Sequence, residues 1–300
     1  VRRAALIYNP KSGRQRHARR LAEILDRLRQ GGFDAEPVPT AGPDDATRLA
    51  RELARADDPA ENCEVVFAYG GDGTVREVAA GLLGTPTALG ILPGGTVNLL
   101  AHALGLPKDP VDAADLLPRL PARWMDVGLA GDVPFLMMVS AGLDAAVLAA
   151  LDPRLKLRFG QGAFVGQGLR EWWRYGYPRL ELEADGEPFE ASFVAVSNIP
   201  FYGGAFRLAP GARLDDGRLD LVLLRDAGRL RTLRFAFEVL RGAHVHSRDV
   251  IARPVREVVL RAPAGAAAQV DGDLCRQRLP VNVRLARERL AVLAPEPLQP

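Results

Sequence analysis

The chain has 300 residues, 48% of them hydrophobic and 25% charged, with a net charge of +2. That length suits one large domain or two moderate ones, and so small a net charge does not favour nucleic acid as a partner. Cys63 and Cys275 are its two cysteines, which excludes a disulfide framework and makes a reduced cytosol the expected compartment.

Ala4-Ala5-Leu6-Ile7-Tyr8 stops at Asn9-Pro10, too short a run for a signal-peptide core. Residues 3–8 read instead as a buried parallel strand, followed by the turn Asn9-Pro10-Lys11-Ser12-Gly13. Leu21, Ile24, Leu25 and Leu28 then recur at helical spacing until Gly31-Gly32. Residues 33–38 form a second strand closed by Thr40, and Asp44-Asp45 opens a second helix carrying Leu49 and Leu53.

The run Val65-Val66-Phe67-Ala68-Tyr69 reads as a third strand, emptying into Gly70-Gly71-Asp72-Gly73-Thr74 and a helix that starts near Val75. A strand, a glycine turn and a helix start bring free backbone N–H groups and the positive helix end together, where phosphate binds well. Asp72 repels phosphate unless a divalent cation lies between them, so the turn suggests a metal-assisted nucleotide site. Residues 87–92 make a fourth strand, and Pro93-Gly94-Gly95-Thr96-Val97-Asn98 leads into a helix over 99–104. No residue between Glu77 and Lys108 carries a formal charge, but Gly81, Gly84, Pro86, Gly90, Pro93, Gly94 and Gly95 break that stretch, so it does not span a bilayer. The β-α-β-α-β-α-β order predicts a parallel sheet with helices on both faces, and puts the loops at 9–13, 70–74 and 93–98 on one sheet edge.

From Arg123 on, short strand-like runs dominate: 124–129, 133–139, 180–184, 189–197, 219–224, 255–260 and 281–285. Asp185-Gly186 and Asp216-Gly217 read as hairpin turns, and helical insertions interrupt around 160–175 and 228–242. This half is expected to be an antiparallel β domain. His244 and His246 are spaced to face one way on a strand, as a solvated pair. Trp172, Trp173, Tyr175 and Tyr177 could line a lipid cleft or touch a membrane surface, with core packing the plainer account. The apolar and arginine-rich segment 229–241 could lie on anionic lipid, with packing on the β domain the plainer account.

Asn-Pro-Lys-Ser-Gly, Gly-Gly-Asp-Gly-Thr and Pro-Gly-Gly-Thr-Val-Asn together resemble the diacylglycerol kinase catalytic family, which includes sphingosine and ceramide kinases and bacterial lipid kinases. Asn198 with Gly203-Gly204, Ala209-Pro210, Asp215-Asp216-Gly217 and Val270-Asp271-Gly272-Asp273 extend the resemblance over nearly the whole chain. It implies an α/β N-terminal domain like that of NAD kinases and phosphofructokinases over residues 1–122, and a C-terminal antiparallel β-sandwich taking the lipid over 123–285. A tail of about 286–300 would return to the first domain. It further implies ATP- and Mg2+-dependent phosphorylation of a diacylglycerol-like or sphingoid-like hydroxyl. The enzyme would be cytoplasmic and peripheral at the inner membrane surface, with a homodimer left open.

By that resemblance Asn9, Lys11, Ser12, Gly13 and Thr40 would hold the nucleotide, and Gly70, Gly71, Gly73 and Thr74 would form the phosphate turn with Gly94, Thr96 and Asn98 beside it. Asp72 would act through the cation or as base, Asp273 would face it across a cleft as the other candidate base, and Asp216 would help a secondary metal or structural site. The chain departs from the pattern at four places. Arg76 stands where the family often has asparagine, Leu99 where bacterial diacylglycerol kinases usually have Asp, and His102 where they have Arg; Asp273 replaces Glu. The rival readings are an NAD kinase, for which the latter half offers no second motif, and a nucleotide- or lipid-binding protein without catalysis, supported by Leu99 and Asp273.

Overall fold

A computed structural model describes residues 2–10, 14–55, 62–151, 161–204, 206–226, 228–261, 266–275 and 280–296, with the backbone alone for 14–18 and 161–165. By internal contacts the residues up to Val127, together with the stretch from Arg287, form one compact unit, and Gly128–Ala286 form another.

The first unit runs β1 (Arg2–Tyr8), α1 (Arg14–Gln30), β2 (Phe33–Pro39), α2 (Asp45–Ala54), β3 (Val65–Gly70), α3 (Asp72–Leu82), β4 (Ala88–Pro93), α4 (Leu99–Ala103), α5 (Pro110–Leu116) and β5 (Ala122–Met125). Its sheet has the order β2-β1-β3-β4-β20-β5, in which β20 is Leu290–Leu293. The pairs among β1 to β4 and the β4–β20 pair are parallel; β5 runs antiparallel to β20. β3, β4 and β20 are buried at every residue, as strands covered on both faces must be.

Small residues set the helix spacing. α2 turns Ala46, Ala50 and Ala54 inward, leaving Leu49 and Leu53 half-buried. A Cβ on Gly81 of α3 would lie 2.5 Å from the Thr47 carbonyl oxygen and 2.7 Å from Ala50 Cβ. The Thr47 hydroxyl donates to the Glu77 carbonyl at 2.9 Å.

The second unit contains β6 (Gly128–Ala130), β7 (Val133–Phe135), β8 (Met138–Ala141), α6 (Leu143–Ala150), α7 (Gln161–Arg174), β9 (Leu180–Ala184), β10 (Glu187–Ala191), β11 (Phe193–Ser197), β12 (Phe201–Tyr202) and β13 (Phe206–Arg207). There follow β14 (Leu219–Leu224), α8 (Arg229–Leu240), β15 (Val250–Val255), β16 (Glu257–Arg261), β17 (Ala268–Val270), β18 (Asp273–Leu274) and β19 (Val281–Leu285). Two antiparallel sheets, β10-β9-β16-β19-β6-β7 and β15-β14-β11-β8-β17-β18, share one core. Phe135, Leu182 and Val258 meet Val139, Val196 and Leu221 across it. Alternate residues of the second sheet, including Met138, Ala195, Val222 and Leu224, pack on its other side against Phe235 of α8.

Several elements differ from expectation. The run 124–129 is two strands, β5 and β6, in different sheets. The runs 189–197 and 255–260 each cross between the sandwich sheets at a single residue, Ser192 or Arg256. One residue of crossover is too short to read as a loop, because a single polar position is also what an alternating strand shows. α5, α6 and β15 were not anticipated; β15 is an edge strand, which is why it tolerates Pro254. Asp216-Gly217 is no hairpin but a local turn into β14, closed by the Arg218 N–H on Asp216 Oδ1 at 3.1 Å. His244 and His246 lie in a 3-10 turn; His244 is buried, with Nε2 2.7 Å from the Leu208 carbonyl oxygen.

Two glycines are fixed by aromatic rings directly across the ladder. A Cβ on Gly90 would lie 2.3 Å from Phe67 Cδ1, and one on Gly128 2.0 Å from Phe135 Cζ. Gly90→Ala and Gly128→Ala are each expected to cost about 1–3 kcal/mol by overpacking. Urea denaturation checks this, with Gly42→Ala, whose Cβ meets no described atom within 4 Å, as the neutral control.

Candidate active site

In the first unit the parallel strands β1, β2, β3 and β4 deliver Asn9, Thr40, Gly70 to Asp72 and Gly94 to Asn98 to the same edge of the sheet. The strand order reverses direction between β1 and β3, the position where open sheets of this kind bind ligands. Thr40 is buried and donates its N–H to the Tyr8 carbonyl at 2.9 Å. Lys11, Ser12 and Gly13 lie outside the described residues.

The turns after β3 and β4 are locked together. Gly94 N–H donates to the Gly70 carbonyl at 2.7 Å, and a Cβ on Gly95 would come within 2.6 Å of Gly71 Cα. A Cβ on Gly70 would collide with the Thr74 side chain at 2.7 Å. Asn98 sits in the left-handed region (φ 52°) and closes its own loop, accepting from Gly95 N–H at 3.0 Å and donating to Gly95 O at 2.8 Å. Asp72 Oδ1 accepts the Leu99 N–H at 2.8 Å, so the acid of one turn caps the helix begun by the other. Burial pushes the Asp72 carboxyl above its ordinary pKa, opposed by the N–H groups of Leu100, Leu99 and Asn98.

These contacts require Gly70 and Gly95 on packing grounds alone, and a Cβ on Gly94 would press to 3.0 Å on the Tyr69 ring. Gly73 is different: it sits exposed in the first turn of α3, and a Cβ there meets no described atom within 4 Å. A helical glycine costs about 1 kcal/mol against alanine, so the protein's own packing does not explain it. The α3 N-cap is Gly71, with no side chain to cap the first-turn N–H groups. Open space, uncapped N–H groups and the Thr74 hydroxyl suit the phosphates of a nucleotide. Leu99 and Leu100 are buried and serve α4 as packing residues.

In the second unit the acid expected to react, Asp273, lies on the β17–β18 hairpin. Asp271 (φ 51°) and Gly272 (φ 84°) make a tight turn with both central residues left-handed, and Val270 and Asp273 pair across it. The buried Asp271 carboxylate accepts three backbone N–H groups, from Leu136 at 2.7 Å and from Met137 and Met138 at 2.9 Å. Those bonds break the run 133–139 into β7 and β8. Asn198 Nδ2 holds the same segment through the Leu136 carbonyl at 3.1 Å. Asp273, the next residue of the motif but one, is exposed.

A second chain of bonds reaches this turn. Gly272 N–H donates to Gln269 Oε1 at 2.7 Å, Gln269 Nε2 to Ser140 Oγ at 2.7 Å, and the Ser140 hydroxyl to Asp144 at the start of α6. Burial raises the Asp144 carboxyl and, with Asp144 beside it, the Tyr202 phenol. Sequence reasoning missed Ser140, Asp144 and Gln269. The available signal was Asp144 as the one charged residue between 133 and 151.

Asp216 has an unanticipated companion. Asp220 on β14 is buried, and its pKa is pushed up to about 6, first by burial and then by the charge of Asp216. A buried carboxylate with a second one beside it suits a divalent cation, although no cluster of three His, Cys, Asp or Glu ligands occurs among the described residues. Since the folded-state pKa exceeds the ordinary value of 3.8, ionising Asp220 opposes folding, and stability falls as pH climbs from 3.8 to about 6. In chelator, Asp220→Asn is expected to melt with the wild type at about pH 4 and several degrees above it at about pH 7. Equal melting temperatures at both pH values would contradict this account of Asp220.

Residues 3–130 match the diacylglycerol kinase catalytic domain, and residues 137–294 match the YegS C-terminal NAD kinase beta sandwich-like domain. A diacylglycerol kinase of Bacillus subtilis (strain 168) is 31% identical over 278 residues, 91% of this chain and 90% of the relative. A "Probable lipid kinase YegS-like" of Chromohalobacter salexigens is 33% identical over 276 residues, 90% and 86% of the two. The crystal structure of a diacylglycerol kinase from Bacillus anthracis str. Sterne shares the fold, with a TM-score of 0.73 at 21% identity over 99% of this chain and 98% of that one. With both halves matched and relatives above 30% identity along nearly the whole length, the chain belongs to the diacylglycerol kinase catalytic family and is a lipid kinase.

Proposed function

We propose that this lipid kinase transfers the γ-phosphoryl group of ATP, with Mg2+, to the hydroxyl of a diacylglycerol-like or sphingoid-like lipid presented at the inner membrane surface. The observation that carries the nucleotide part is the start of α3. There Gly73 leaves open space over first-turn N–H groups that lack a side-chain cap.

When bound, ATP supplies the transferable group and Mg2+ neutralises charge on its phosphates. The chain's own part is positioning. Asn9, Lys11, Ser12, Gly13 and Thr40 hold the nucleotide at the ends of β1 and β2. The N–H groups of Gly73 and Thr74, with the hydroxyls of Thr74 and Thr96, receive the phosphates, and Gly94 and Asn98 keep the neighbouring loop in place.

The two candidate bases then separate by environment. One oxygen of Asp72 is committed to the Leu99 N–H, which suits an acid that orders the phosphate loops and faces the cation. Asp273 is exposed on a hairpin whose turn is held at both Asp271 and Gly272, and we assign it the lipid hydroxyl's proton. Asp216 and Asp220 offer a second cation position with a structural role. No helix of the described residues is long and apolar enough to cross a membrane. Access to the lipid therefore rests on contact with the bilayer surface in this reading.

Labelled ATP incubated with a total lipid extract should yield a phosphorylated lipid whose identity fixes the substrate. Asp72→Ala is expected to abolish the transfer while costing only about 1–2 kcal/mol through the lost cap. Asp273→Asn should lower kcat by about 10²–10⁴ with nucleotide binding retained. Wild-type turnover in either variant would sink the corresponding role. Mg2+ should raise the melting temperature of the wild type, and Asp220→Asn should remove part of that gain.

A further inference from the structure

Helix α8 is apolar on two opposite faces. Phe235 is buried and Val239 half-buried, and both pack on the second sheet of the sandwich with Met138, Val222 and Leu224. Leu230 (81% exposed), Leu233, Phe237 and Leu240 point the other way, each more than half exposed. At 100° per residue these four fall within an arc of about 80°. A surface helix ordinarily presents its polar residues there.

The stripe does not end with α8. Trp172 Nε1 donates to the Arg229 carbonyl at 2.9 Å, and Arg229 Nη2 donates back to the Trp173 carbonyl at 2.8 Å. The Arg229 guanidinium also stacks 4.2 Å from the centre of the Trp173 ring. The end of α7 is thus stapled to the start of α8, and exposed Leu169 and Trp173 extend the apolar surface. Of that aromatic cluster, Trp173 is exposed while Trp172, Tyr175 and Tyr177 are half-buried.

Charge on this surface has one prevailing sign. Arg229, Arg231, Arg234 and Arg241 lie on or beside α8 with Glu238 as its one acid, and Arg170 and Arg174 accompany Glu171 on the last turns of α7. The Arg241 guanidinium stacks 5.3 Å from Phe237, so cationic heads sit beside the apolar side chains. Leu, Phe and Trp flanked by arginine is the make-up of a helix lying in a membrane interface, with apolar groups among the acyl chains and guanidinium groups among anionic headgroups.

We infer that the joined faces of α7 and α8 dock on an anionic lipid bilayer, Leu230, Leu233, Phe237 and Trp173 entering it. This rests on the lipid-kinase reading, in which the substrate lies in a bilayer. It adds the surface through which the protein meets it. α6 packs against both α7 and β18, so one helix separates the docking face from the strand that carries Asp273.

Vesicle flotation tests it on the full chain, using phosphatidylcholine alone and phosphatidylcholine mixed with phosphatidylglycerol. The wild type should bind the anionic vesicles about tenfold more tightly and lose much of that advantage at high salt. Leu230→Glu combined with Leu233→Glu should weaken binding about tenfold or more at an unchanged melting temperature. If the double variant is unstable, Leu230→Ser alone, at the most exposed position of the stripe, should still lower binding several-fold. Wild-type vesicle binding by a folded variant would overturn the proposal. So would a dimer that dissociates on substitution while vesicle binding persists, since a second copy would then cover the face. Face-dependent vesicle binding by a protein that phosphorylates no lipid would support docking and overturn the kinase reading; phosphorylation of vesicle lipid without face-dependent binding would do the reverse.

Discussion

The N-terminal unit depends on a carboxylate placed where backbone N–H groups of a different loop converge. Asp72 belongs to the turn after β3, yet the groups it satisfies open α4, after β4. A half-buried carboxylate is costly unless it accepts several hydrogen bonds, so the two loops are held in one geometry or the charge is stranded. Glycine at 94 and 95 permits the approach, because a Cβ there would press on Gly70 or Gly71 of the other loop, at 3.2 and 2.6 Å. What remains free is the start of α3, and the energy spent on the contact leaves a rigid edge with its N–H groups available. In the proposed reading, phosphate recognition is a by-product of how the sheet edge closes.

The second unit repeats the device with other parts. Asp271 is buried in a hairpin turn and collects three consecutive N–H groups from the segment between β7 and β8. Asp185-Gly186 makes a turn of the same left-handed kind, and its carboxylate takes the N–H groups of Arg256 and Glu257 at the sheet crossover. Asp-Gly in this protein is therefore a fastener before it is a reactive motif. The reactive candidate, Asp273, is the acid that this fastening leaves exposed.

The parallel half was readable because its signals are local: apolar strands without alternation, helical spacing, and glycine turns at strand ends. Gly70-Gly71-Asp72-Gly73 and Gly94-Gly95 suggested a phosphate edge, although the contacts that fix Gly94 and Gly95 are with a loop distant in sequence. The sandwich was legible as antiparallel strands but not in its connections. Ser192 and Arg256 move the chain between sheets in a single residue, too short a break to read as a loop. Asp144, Ser140 and Gln269 were hidden because a buried polar chain assembles from a helix start and two strands. Asp220 looked like an ordinary strand residue until Asp216 was placed near it. On α8, periodicity showed an apolar stripe and could not say that the packed face would be the other one.

β20 lies between β4 and β5, although nearly the whole second unit separates it from them in sequence. On the ribosome, β1 to β4 emerge early and can pair, but both β4 and β5 must wait with an open, apolar edge until residue 293 has been made. During that interval the sandwich can complete its own sheets. The order of maturation is then the reverse of the order of synthesis at this seam: the unit begun first is sealed last. An exposed strand edge is a site for mispairing. The time taken to translate the sandwich therefore sets how long the N-terminal unit is vulnerable to aggregation.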